Sequence, residues 1–180
     1  MKENNYTLIM KLEAKVFLKD NQLYNVSDSS LLDENKVVEF EVEQGVVEIE
    51  EDIYNEELLA ALRDEMKALD AENRYAWIKI VSDSDLSSDL EAFTNTFNHT
   101  ARRVKDCECV IGFILSENLL AMGIEAVESF CEVIAKKHAQ YIHMAPKSLA
   151  EKYTVGSIVK GTVKSIETYG AFIDLNGFQA

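Results

Sequence analysis

Val38, Phe40 and Val42 alternate with Glu39, Glu41 and Glu43, and after Gln44 and Gly45 the alternation resumes, with Val47 and Ile49 against Glu48 and Glu50. A period of two marks a strand with one buried and one solvated face. With Gly45 taken as a turn, residues 38–50 predict a β-hairpin whose outer face is acidic. Residues 6–26 predict an earlier hairpin: "YTLIMKLEAKVFLK" out, "DNQ" as the turn, "LYNVS" back. Further on the period lengthens. Leu58, Leu59, Leu62, Met66 and Leu69 recur at three- and four-residue steps, the pattern of an amphipathic helix. Asn55 suits its cap, and Glu56 and Glu57 suit its positive end.

The same alternation of periods continues. "YAWIKIV" (75–81) predicts a strand, and "DSDLSS" leads to a helix with Leu86, Leu90, Phe93, Phe97, Ala101 and Val104 on one face. "CVIGFIL" (109–115) is apolar throughout, as in a strand covered on both faces. Ser116 can cap a third helix with the stripe Leu120, Ile124, Val127, Cys131 and Ile134, and "QYIHMA" (140–145) returns as a strand before Pro146. Strands separated by helices of this length predict an α/β fold, with α+β the alternative: a mixed sheet with helices packed on it. The organisation expected is a hairpin and loop over 1–36, an α/β domain over 37–146, a linker over 147–153 and a closing β module over 154–180.

Composition limits the function. The chain has 180 residues and a formal charge of −14, which argues against nucleic-acid affinity over the whole surface. The charge is uneven. Residues 28–72 hold 16 acids and 3 bases, a balance of −13, whereas residues 147–180 hold 4 lysines and 3 acids, a balance of +1. The acidic face is therefore a candidate surface for a protein partner. No segment is long and apolar enough to span a membrane, and the start lacks the pattern of a secretion signal, so a cytoplasmic location is expected. Three cysteines make no disulfide framework.

Candidate chemistry is sparse. His99, Arg102 and Arg103 lie at i, i+3 and i+4, with Lys105 beyond; they offer an anion site, or simply bases at the negative end of a helix. Cys107 and Cys109, with His138 or His143, offer thiolate and imidazole ligands, but C-x-C is not the spacing of structural zinc, and core cysteine is the simpler reading. Phosphate-loop, G-x-S-x-G and H-E-x-x-H patterns are missing. No metal or cofactor is expected, and a binding protein rather than an enzyme.

The closing module carries the most specific signal: Val155-Gly156, then Val159-Lys160-Gly161-Thr162-Val163, Ile166, Tyr169-Gly170-Ala171-Phe172 and Ile173-Asp174-Leu175. These residues resemble the opening of an S-one RNA-binding motif, an OB-fold module. The resemblance implies single-stranded RNA as ligand, with Tyr169 and Phe172 stacking on bases and Lys160 and Lys164 meeting phosphate, in a protein of translation or RNA metabolism. The family's later histidine-containing segment and last strands are not present in this sequence. Three expectations stay open: a fragment of a longer protein, completion by residues 6–26 or by a partner, or a degenerate piece used for packing. Within 38–146, the βαβαβ course resembles a STAS-type regulatory domain without its Asp-Ser-Ser-Gly segment. Residues 110–146, with Met122-Gly123-Ile124, are similar to a crotonase around its second oxyanion segment, which implies acyl-CoA binding.

Overall fold

The computed structural model describes residues 16–19 and 22–145 in full, and the backbone of strands Thr162–Glu167 and Gly170–Asp174. The fold is α/β. Its centre is a four-stranded parallel sheet of β3 (Val37–Glu43), β6 (Tyr75–Val81), β7 (Val110–Ile114) and β8 (Ile142–Met144), paired in chain order. Helix α2 (Glu56–Ala71) joins β3 to β6, α3 (Leu86–Arg103) joins β6 to β7, and α4 (Glu117–Ala121) with α5 (Ile124–His138) joins β7 to β8. The antiparallel strands form separate ribbons: β1 (Val16–Lys19) with β2 (Gln22–Asn25), β4 (Glu48–Glu50) with β5 (Ile53–Tyr54), and β9 (Thr162–Glu167) with β10 (Gly170–Asp174).

Strands that advance in one direction through right-handed crossovers carry their helices on one face. That face holds the main core. Ala76, Ile78, Ile80 and Phe113 meet Leu62, Met66 and Leu69 of α2, Phe93 and Phe97 of α3, and Phe130 and Ile134 of α5. Phe97 is the hub, 4.3 Å from Phe113 and 4.9 Å from Phe130 between ring centroids, the latter edge-on. Such geometries are worth about 0.5–1.5 kcal/mol each beyond their buried area. The opposite face is covered by the β1–β2 ribbon and the loop after it. Val16 and Leu32 pack on Trp77, Ile111 and Ile114 in a second core.

The helix ends follow local chemistry. Asn55 Oδ1 accepts from Leu58 N at 3.0 Å, Asp85 Oδ1 from Ser87 N at 3.0 Å and Ser116 Oγ from Leu119 N at 3.3 Å. Asn73, at φ 52°, stops α2 in the left-handed conformation.

Three expectations need correction. Residues 38–50 are not a hairpin. Strand β3 runs parallel to β6, with Val38 opposite Ala76 and Glu43 opposite Val81. Residues 44–47 form a single helical turn, α1 (Gln44–Val47), which buries Gln44 and Val47 three residues apart. The third helix is two, because Gly123 adopts φ 94°, outside helical space, and starts α5 anew. The central sheet itself is wholly parallel, and the antiparallel pairs lie apart from it. The early hairpin is present from Val16 onward, in the register Val16–Asn25 to Lys19–Gln22; its residues before 16 lie outside the described ones.

Candidate functional site

Two clefts sit at opposite edges of the sheet. The larger, about 1070 Å³, lies at the amino edge, between the ends of α3 and α5 and the starts of β7 and β8, and includes His99, Arg102, Lys105, Cys107, His138 and Tyr141. His99 is held there through its ring face and both ring nitrogens. Its ring stacks on Tyr54, with centroids 3.8 Å apart and planes 9° apart. His99 Nδ1 lies 3.1 Å from Arg102 Nη2. A guanidinium only donates, so Nδ1 accepts and the proton sits on Nε2, which donates to Glu56 Oε1 at 2.9 Å. Arg103 Nη2 pairs with the same oxygen at 2.5 Å. Burial would raise the Glu56 carboxyl, but the hydrogen bonds from Arg103 and His99 outweigh it and hold it below the usual range.

The face shared by His99, Arg102 and Arg103 therefore does exist, but it clamps the β4–β5 ribbon and the start of α2 onto α3. Lys105 and Lys137 line the cleft without an ion pair among the described residues. Bases at the ends of α3 and α5 also answer the negative helix termini. The potential nucleophiles are held neutral. Burial pushes the Cys107 thiol up to about 11 and raises the Tyr141 phenol, which donates to Ala101 O at 3.2 Å. His138 is lowered, by burial first and then by the charges of Lys137, Lys105 and Arg102, partly offset by a hydrogen bond to the Asn98 backbone.

Cys107 and Cys109 are both buried, and Cys109 Sγ points at Met66 O, 3.1 Å away. Among the described residues, no three His, Cys, Asp or Glu side chains converge to hold a metal ion. His143 lies beside the Phe97–Phe113 pair, 6.0 and 6.5 Å from their ring centroids, with both ring nitrogens enclosed and unpartnered, and burial lowers it to about 4.

The second cleft, about 520 Å³, opens at the carboxyl ends of β3 and β6, the edge where parallel α/β sheets receive ligands. Among the described residues its lining includes Glu43, Glu48, Glu50, Glu51, Asp83 and Asp89, and no base. None of these six makes an ion pair among the described residues. Glu48 is fixed by hydrogen bonds, accepting from Thr96 Oγ1 at 2.7 Å and from Asp52 N at 3.1 Å. Gln44 is only 6% exposed. Its Nε2 donates to Asp89 Oδ2 at 3.2 Å, and its Oε1 has no partner.

Comparison with models of protein families, with curated proteins and with solved structures finds no match to this chain.

Of the residues the sequence assigns to RNA, Lys160 and Tyr169 lie outside the described residues, and Lys164 and Phe172 fall in the β9–β10 ribbon. Phe172 pairs with Ser165 and Ile173 with Val163, so the register shifts at Lys164. Sequence reasoning missed Gln44, Asp83 and Asp89. They become neighbours of Glu48 and Glu50 only because β3 ends beside β6. At the other candidate site, the amide of Gly123 donates to Leu120 O at 3.2 Å, so it is committed within the α4–α5 turn. Among the described residues, no helix is long and apolar enough to cross a membrane.

Proposed function

We propose that this chain is an RNA-binding protein of translation or RNA metabolism. It contacts single-stranded RNA through the OB-type module at residues 154–180 and uses its α/β unit for protein interaction. The observation that carries the reading is that Gly170 and Phe172 of the motif fall in an antiparallel ribbon. Gly170 opens β10 opposite Glu167, and the register shift gives the local twist that small barrels exploit. Aromatic stacking contributes about 1–3 kcal/mol per base and tolerates sequence variation.

The test is fluorescence anisotropy of a labelled single-stranded oligouridylate with the full chain, at several salt concentrations. Binding weakens with salt, and Tyr169→Ala and Phe172→Ala each reduce affinity roughly 5- to 100-fold. Absence of salt-sensitive binding, or indifference to both substitutions, overturns the reading.

A second reading, a STAS-like regulator working through protein contacts, is favoured by one observation. The unit is a regular succession of parallel strands and helices, with six acids gathered in one cleft at the carboxyl ends of its strands. The acyl-CoA alternative finds less support, since an oxyanion site needs free backbone donors and the Gly123 amide is already bonded.

A further inference from the structure

The carboxyl-edge cleft poses an electrostatic problem. Six carboxylates line it with no base among them, and like charges brought together oppose one another. The cost persists in the isolated chain, because none of the six has an ionic partner among the described residues. Gln44 adds a second and independent indication. A nine-tenths buried amide should satisfy both of its ends. Here the donor end is taken by Asp89 and the acceptor end is left over. Exchanging the amide's ends would set its oxygen against the Asp89 carboxylate, so the free group is an acceptor. What is missing is a donor that carries positive charge.

The surroundings narrow the class. A bare metal ion is disfavoured, since among the described residues no three ligating side chains converge. Nucleic acid is excluded by charge. Beside the cleft, Val46, Ile49 and Ile53 are 45%, 60% and 53% exposed, three large apolar side chains within eight residues. They sit on α1, β4 and β5, and β4 also carries Glu48 and Glu50. A small polyamine would neutralise the acids and leave this apolar patch bare. A polypeptide with basic and apolar residues close together matches both.

We propose that the carboxyl-edge cleft docks a basic segment of a partner protein, with an arginine or lysine side chain entering beside Gln44 and Asp89 and its apolar neighbours covering Val46, Ile49 and Ile53. This specifies the interaction role given above to the α/β unit and does not depend on the RNA module. A second copy of this chain is a poor occupant of the same edge, since its own acids would face these.

The experiment is an NMR titration of the ¹⁵N-labelled full chain with a short amphipathic arginine–leucine peptide, beside an arginine–serine peptide as control. Amide shifts confined to residues 43–53 and 81–92 are expected. The pair Asp83→Asn with Asp89→Asn weakens binding roughly 5- to 10-fold. Ile49→Ser with Ile53→Ser weakens the leucine peptide alone. As a charge control on α2, Asp64→Asn with Glu65→Gln leaves binding unchanged. Shifts spread over the whole acidic surface, equal losses in the α2 control, or no binding overturn the proposal. Because the substitutions lie far in sequence from residues 154–180, oligouridylate binding is measured on the same variants. RNA affinity retained while the peptide is lost separates failure of the cleft from failure of the RNA reading.

Discussion

Gly112 sits where strands β7 and β8 pair, opposite Ile142. A Cβ built on it falls on the Ile142 carbonyl oxygen and within 2.6 Å of Ile142 N and 2.7 Å of its carbonyl carbon, whereas real Cβ atoms essentially never come under 3.0 Å. All three obstacles are backbone, so no rotamer change relieves them. Strand β8 must retreat by about an ångström, which breaks a ladder only three residues long. Overpacking a core typically costs about 1–3 kcal/mol. A clash with rigid backbone lies at the upper end or beyond, so Gly112→Ala is expected to cost about 3 kcal/mol or more. For a chain of this size that is a fall of roughly 6–12 °C in Tm. Gly123→Ala serves as the contrast. Nothing lies within 4 Å of Gly123, so its cost is the positive-φ extended backbone alone, about 1–3 kcal/mol. Urea unfolding followed by Trp77 fluorescence and far-UV circular dichroism gives both numbers, and hydrogen exchange of residues 141–145 reports whether β8 has come away. A cost for Gly112→Ala below about 1 kcal/mol, with β8 still protected, refutes the close approach of the two strands.

Two further perturbations test the electrostatics. His143 has its folded pKa lowered by burial from 6.5 to about 4, so the unfolded chain takes up a proton first as pH falls. Its contribution to stability is full above pH 6.5 and is lost progressively below it, by about 2 kcal/mol between pH 6.5 and 5. His143→Leu removes that part of the slope in urea unfolding measured at stepped pH; an unchanged slope shows that the imidazole is not held neutral. Asp106 is held down to about 2 by the Arg63 hydrogen bonds, with burial opposing and Lys67 assisting. Its stabilisation is present above about pH 4 and lost as pH falls toward 2. Because the carboxylate is 48% exposed, solvent screening reduces it to about 0.5–1 kcal/mol. Asp106→Asn should cost that amount at pH 7 and nothing at pH 2, as read by thermal melts at the two pH values.

Much of the architecture was legible residue by residue. Helix α2 and its Asn55 cap, strand 75–81 and the fully buried strand at 110–114 follow from periodicity and capping, because these are interactions within a few residues of one another. The 44–47 turn was misread for the same reason: an alternating strand looks alike whether it folds back as a hairpin or pairs with a distant strand, and Gly45 lent itself to the wrong choice. Met122-Gly123 hid a break in what reads as one apolar stripe, since the stripe registers burial and not the sign of φ.

The sequence by itself determined where the helices and most strands lie, that the chain is α/β, and that its acids crowd into residues 28–72. Only the tertiary structure decided which strand stands beside which. Pairing β3 with β6 brings residues 43–51 against 81–92, and that contact makes a dispersed acidic stretch into a cleft with a buried, half-satisfied glutamine. Its physical basis is non-local: the choice rests on burying Val38, Phe40 and Val42 against the helix layer through a parallel crossover, a gain that no short window of sequence contains.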